Sequence, residues 1–366
     1  MNTLKTIGEK IEAGRRISAA DGEFLFRDDV DLHAVGELAD LVRRRKHGDV
    51  AYYNVNAHLN PTNVCIYQCA LCAYSRECDD PSAYTLGDEE ILAQGQEADD
   101  NGCTELHVVG GVHPEKPFDW YLGIVRQLHD AFPRLHLKAW TASEIAWFSQ
   151  LTRRTVHSIL VDLMRVGLGS LPGGGAEIFD PQVRNEICPR KVDARTWLGV
   201  HRAAHEMGLR SNATMLYGHL ENAEHRIDHL VQLRLLQDVT GGFQAFIPLA
   251  FHPENTRLSR LSRASSLLDL RTMAVSRLML DNFDHVKAYW ISLGVGTAQV
   301  ALGYGANDID GTVRREQIHH TAGSDAPESL SIDQLRHLIV EAGREPVERD
   351  TLYRRVKRDG TQWTVE

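Results

Sequence analysis

The sequence predicts an α/β fold, a closed (β/α)8 barrel of the TIM type, on three observations. Short apolar runs alternate with stretches of helical period in units of roughly 30–40 residues. Eight such runs occur, which suits a closed barrel better than an open doubly wound sheet. No Pro/Ser-rich linker or low-complexity tract divides the 366 residues, a length that α/β barrels reach as one unit.

In chain order, residues 1–50 read as a helical extension. Asp21 and Asp31 look like helix N-caps, and Gly48 like the stop after the second helix. Residues 51–325 form the barrel, with strands expected at 51–56, 105–109, 135–139, 167–171, 211–216, 244–249, 285–289 and 297–302. Asp88 opens a helix that ends near Gly102. Asp193 opens another, with Trp197, Val200, Ala204 and Met207 on one face and Gly208 as stop. Residues 224–238 are amphipathic with Ile227, Leu230, Val231 and Leu233 inward, and 267–283 are similar. Residues 326–366 hold one helix, 331–342, and a charged tail, packed on the barrel.

Composition excludes several classes of function. Apolar content of 43% and charged content of 25% are those of a soluble globular chain. No window approaches the ~18 consecutive apolar residues of a membrane span, so no membrane partner is expected. A net charge of −10 argues against a nucleic-acid partner. The basic runs at 43–46 and 354–358 sit near acidic neighbours and read as solvated helix faces. The chain opens without a charged-then-apolar signal segment, and a reducing cytoplasm is the expected compartment.

The sharpest constraint is Cys65, Cys69 and Cys72, spaced C-x3-C-x2-C. Iron–sulfur cubanes are mostly held by four thiolates. Three leave one iron with an open position, where a small molecule can bind. Zinc would want a fourth ligand, for which His58 is near in sequence, but the second C-x2-C knuckle of a zinc ribbon is absent. A non-catalytic iron–sulfur or zinc module therefore stays open as an alternative to an enzyme. Cys78, Cys103 and Cys188 read as small buried residues, Cys78 standing on the same loop as the triplet.

Barrel active sites lie at the C-terminal ends of the strands, and the unusual loops here follow expected strands. Gly110-Gly111 permits close backbone approach, with carbonyls free to accept from an ammonium group. Gly173–Gly175 with Glu177 lacks the Lys-Ser/Thr of a P-loop and suits a backbone lining a bound adenosine or substrate. Glu144 and Glu221 are placed to accept from ribose hydroxyls, or to act as helix N-terminal carboxylates. His107, His113, His219, His252 and His285, with Arg184, Lys138 and Lys287, would make a cationic mouth for carboxylate ligands, with Asn255 and Thr256 as further contacts.

The cysteine spacing resembles the signature of the radical S-adenosylmethionine (SAM) superfamily. Further blocks resemble the aminofutalosine synthase family: HLNPTNVC (58–65), ELHVVGGVHP (105–114), KAWTASEI (138–145), LPGGGAEIF (171–179), NATMLYGHLE (212–221), GFQAFIPLAFHPENT (242–256), LDNFDHVKAYW (280–290) and NDIDGTV (307–313). They cover most of residues 50–325, in order, while RREQIHHT (314–321) is looser than the family pattern. The resemblance implies a barrel of the radical SAM kind, with a [4Fe-4S] cluster on Cys65, Cys69 and Cys72. It implies that Gly110-Gly111 holds the amino group of SAM, and that the 214–221 run ending in Glu221 supports its adenine. Implied too are a flavodoxin or ferredoxin as electron donor and a role in the futalosine route to menaquinone. In the implied reaction the 5′-deoxyadenosyl radical adds to 3-[(1-carboxyvinyl)oxy]benzoate, and rearrangement and decarboxylation give 6-amino-6-deoxyfutalosine. SAM is thus consumed as a co-substrate. The nearest alternatives are the sister dehypoxanthine futalosine cyclase and FO synthase components; PGGGAEIF and FIPLAFHP favour the synthase.

Overall fold

The computed structural model describes residues 3–366. Three helices, Leu4–Glu12, Ala19–Leu25 and Leu32–His47, precede the first strand. Asp31 caps the third, which Gly48 ends in a left-handed conformation (φ 58°). Asp21 is not a cap. Ser18 caps that helix, and the Asp21 carboxylate reaches back to accept from the Ser18 N–H (2.9 Å) and from Lys10 (2.7 Å).

The strands are β1 (Val50–Asn54), β2 (Asn56–Leu59), β3 (Glu105–Val108), β4 (His136–Ala139), β5 (Ser170–Leu171), β6 (Arg210–Tyr217), β7 (Phe243–Ala250), β8 (His285–Val286), β9 (Asp308–Gly311), β10 (Glu345–Glu348), β11 (Val356–Asp359) and β12 (Gln362–Val365). Strands β2 to β8 form one parallel sheet in sequence order, with helices in the crossovers. The expected strand 51–56 is two elements: β1 pairs with β9 and β10 in a separate parallel sheet, and only β2 enters the barrel.

The expected eighth strand at 297–302 is a helix, Val295–Ala301. Its branched residues suggested a strand, but Ala298 and Ala301, at helical spacing, are the ones buried. The eighth stave is 307–314. Asn307 N–H donates to the Val286 carbonyl (3.1 Å) and Ala288 N–H to that of Asp308 (2.8 Å). On its other side His58 N–H donates to the Arg314 carbonyl (2.8 Å) and Arg314 N–H to that of Asn56 (3.2 Å). Both edges of the seven-stranded sheet are thereby joined.

Alternation sorts each strand into two faces. Leu106, Val108, Leu137 and Ala139 belong to the apolar core under the outer helices. Asn56, His58, Glu105, His107, Lys138, Asn212, Thr214, Lys287 and Asp310 line the interior. So polar an interior needs internal partners. Lys138 binds Glu105 (2.7 Å), and Arg349 binds Asp308 (2.6 Å) with both side chains fully buried.

Arg349 belongs to the tail. After β10 joins β1, the chain passes beneath the strands: Thr351 Oγ1 donates to Glu105 (2.8 Å) and Tyr353 Oη to Asp308 (2.7 Å), while Tyr353 stacks on His285 (3.5 Å between centroids). Glu105, His285 and Asp308 each open a strand, so the tail closes the N-terminal end of the barrel. Arg349→Met strands a buried Asp308 and is expected to cost about 3–5 kcal/mol in denaturant unfolding; Arg349→Met with Asp308→Asn should recover much of that loss.

Candidate active site

The opposite end of the barrel opens into a cavity of about 290 Å³ that runs down the interior. Cys65, Cys69 and Cys72 all line it, Cys69 buried and the other two half-buried. Their loop is tightened by Gln68, which adopts a left-handed backbone (φ 43°) and donates through Nε2 to the Cys65 carbonyl (2.7 Å). Cys72 N–H closes a turn on the Cys69 carbonyl (3.1 Å), and Ile66 N–H ties the loop to Val112 (3.0 Å).

Gly110 and Gly111 line the same cavity, and the cysteine loop itself dictates their size. A Cβ on Gly111 would stand 2.1 Å from the Val64 carbonyl oxygen, and one on Gly110 2.8 Å from that of Thr62. Gly111 N–H donates to the Thr62 carbonyl (2.7 Å), so the two backbones lie in contact.

Glu144 stands at the third position of helix Ala142–Thr152, capped by Thr141. Its carboxylate accepts from Thr141 N–H (2.6 Å) and Gly110 N–H (3.3 Å), and burial pushes its pKa up to about 7. Glu177 lines the cavity and binds Lys191 (2.7 Å), a cation beside Cys69 that the sequence reading missed. Gly173–Gly175 also line it.

Other expected residues lie elsewhere. Glu221 is outside the lining; its fully buried carboxylate accepts from Gly218 N–H (2.7 Å) and His219 N–H (2.9 Å) and faces Arg226. The cationic mouth dissolves. Arg184 spends its guanidinium on the carbonyls of Ala176, Ile178 and Val192. His285 stacks at the floor, and His113, His219, Asn255 and Thr256 are not in the lining. His252 lines the upper cavity, whereas His107, Lys138 and Lys287 sit deep in the barrel.

The cavity also contains His58, expected only as the fourth ligand of the zinc alternative, and Tyr67, Tyr289, Glu316 and His319, which were not expected as site residues. Glu316 is buried and accepts from Ile318 N–H (2.9 Å), His319 N–H (3.0 Å) and both neighbouring imidazoles (His319 Nδ1 at 3.4 Å, His320 Nδ1 at 3.2 Å). Its signal was the E-x-x-H-H spacing, which puts both rings within one helical turn of the carboxylate.

The donor set fits an iron–sulfur cluster better than zinc. Ligand atoms around one zinc ion lie about 3.8 Å apart. Among the described residues, the one group of three such atoms within 4.8 Å of each other is Cys78, His113 and Glu115. The triplet is spread more widely, as a multi-iron group requires, and its thiols are soft ligands facing one cavity.

Residues 59–233 match the radical SAM superfamily, and residues 240–360 match the CofH/MqnC C-terminal region. The solved structure of methylornithine synthase superposes with a TM-score of 0.74 at 17% identity, covering 93% of this chain and 97% of that one. Fold and site together define a radical SAM enzyme, a class that uses a [4Fe-4S] cluster and SAM. Aminodeoxyfutalosine synthase of Thermus thermophilus is 46% identical over 358 residues, 97% of this chain and 96% of that protein. The 5-amino-6-(D-ribitylamino)uracil–L-tyrosine 4-hydroxyphenyl transferase of Methanopyrus kandleri is 37% identical over 352 residues, 95% and 94% of the two chains. The chain belongs to the aminodeoxyfutalosine synthase family of radical SAM enzymes. No helix among the described residues is long and apolar enough to cross a membrane.

Two predictions follow from this geometry. Gly111→Ala forces the Val64 carbonyl away, costing about 1–3 kcal/mol, and should lower iron content per chain after reconstitution. His320 donates to Glu316 and, through Nε2, to the Ala326 carbonyl (3.1 Å), which raises its pKa to about 9. The stabilisation is complete below the ordinary histidine value and is lost as pH rises through about 9. Between pH 7 and 10 the Tm of the wild type should therefore fall further than that of His320→Gln.

Proposed function

We propose that the protein joins the 5′-deoxyadenosyl group of SAM to 3-[(1-carboxyvinyl)oxy]benzoate, with rearrangement and loss of a carboxylate, to give 6-amino-6-deoxyfutalosine. The observation that carries this reading is the convergence of three cysteines, a glycine pair and a buried carboxylate on one cavity, in a chain 46% identical over nearly its whole length to an aminodeoxyfutalosine synthase.

Cys65, Cys69 and Cys72 are the residues to hold the cluster. A cluster held there would supply the electron needed to split the sulfonium of SAM. Gly110 and Gly111 then leave room and carbonyl acceptors for the amino group of SAM, while Glu144 fixes the position of Gly110. Glu177 and Lys191 form a half-buried pair in the lining shared with Cys69 that holds that wall of the cavity. Leu216, Ile247 and Leu249 offer an apolar wall to an aromatic ring. A cavity enclosed along the barrel axis excludes water from a reactive carbon radical. A small reductant protein of the flavodoxin or ferredoxin kind, in the cytoplasm, fits the role of electron donor.

A second reading is transfer to another acceptor, as in the 4-hydroxyphenyl transferase of Methanopyrus kandleri. The deciding experiment is an anaerobic reaction of reconstituted enzyme, SAM, reductant and the enol ether, read by mass. An adenosylated, decarboxylated adduct is expected; free 5′-deoxyadenosine as the main product overturns the assignment. Cys65→Ala, Cys69→Ala and Cys72→Ala should each lose the visible cluster absorbance and all product. Cys188→Ala, buried outside the cavity lining, should keep both.

A further inference from the structure

We propose that the deep end of the cavity is a carboxylate seat, built from Lys287 with His107 and Lys138, that receives the ring carboxylate of the substrate. The inference rests on the enol-ether reading above and adds an orientation to it.

Strand register sets the two ends of the cavity apart. His107 faces its register partner Lys138, and Gly110 lies three residues beyond His107, so at ~3.3 Å per residue about 10 Å separate the seat from the glycine pair. The cysteines and glycines hold the reacting end. On the substrate, the vinyl carbon under attack and its own carboxyl are attached to the same carbon, so that carboxyl stays near the cysteines. The ring carboxylate lies across the aryl ether and points away from them, toward the floor. Leu216, Ile247 and Leu249 give the same cavity an apolar side.

At the floor, donors outnumber their partners. The Lys287 side chain is 3% exposed, its Nζ stands 3.5 Å from Asp310 Oδ1, and it makes no hydrogen bond to any described residue. Lys138 spends one of its three N–H groups on Glu105 (2.7 Å). His107 Nε2 is buried without any partner. Lys138 reaches Glu105 (2.7 Å), His107 is the register partner of Lys138, and all of them line one cavity with Lys287. An unpartnered buried donor is costly unless something fills it. A planar carboxylate, with two oxygens and about four lone-pair directions, matches this set.

The test uses cluster-loaded enzyme under anaerobic conditions and compares the dicarboxylate with 2-phenoxyacrylate, which lacks only the ring carboxylate. Lys287→Met combined with Asp310→Asn removes both members of the ion pair, and Asn accepts the left-handed backbone of that position (φ 68°). The double variant should raise KM for the dicarboxylate about tenfold or more and leave KM for phenoxyacrylate nearly unchanged. His107→Asn leaves the ion pair intact and should shift the same ratio in the same direction, so the idea stays testable if the double variant fails to load its cluster. An equal rise for both compounds, or no change for either, overturns the seat. If the wild type converts neither compound, the functional reading falls by itself. The seat is then judged by calorimetric binding of 3-hydroxybenzoate to the holoenzyme, which the double variant must abolish.

Discussion

Everything in this barrel depends on neutralising charge inside it. A parallel barrel usually fills its interior with branched apolar side chains; this one carries Glu105, Lys138, Lys287, Asp308 and Asp310. Buried ions are tolerated only when paired and hydrogen bonded. The pairing here is long-range: β3 with β4, the region after β8 with the eighth stave, and the eighth stave with the tail through Asp308 and Arg349. The charges keep the interior open as a cavity, and the same charges require the tail to be in place beneath it.

At the other end the constraint is steric. The cysteine loop runs against β3's exit so closely that Val64 and Thr62 leave no space for side chains at Gly111 and Gly110. Glu144 anchors Gly110 from the next crossover helix. Three consecutive barrel units are thus tied together around the cysteines before any ligand arrives, which is the preorganisation that positioning chemistry needs.

Much of this was legible in the sequence. Periodicity located six of the staves, because apolar alternation survives in strands whose outer face packs on helices; the expected strand 51–56 is mainly β1 and reaches the first stave, β2, only at Asn56. It failed on the eighth, where Asn307–Arg314 carries inward acids and reads as a loop, while the branched run at 297–302 proved helical. The cysteines and the glycine pair were found because their spacing is chemically restrictive. Glu221 and Glu144 looked alike, each an acid after a strand. Only the fold separates one that braces a turn from one that faces the cavity. Glu316 and His319 were missed because the barrel brings them to the cysteines from a distant part of the chain, and His58 was read only as a fourth ligand for zinc.

The tail that forms the floor gives the molecule a temporal order as well as a spatial one. Arg349 is synthesised about 280 residues after Cys65. At ribosomal speeds of about 5–20 residues per second, the cysteine loop emerges roughly 15–60 s before the group that neutralises Asp308. Through that interval β1 lacks its β10 partner and the barrel stands open beneath the cysteines. The emerging chain must therefore keep three thiols reduced and unclaimed on a half-built scaffold. A chain released before residue 349 would carry the complete cysteine signature on a barrel with an uncovered floor and an unpaired Asp308.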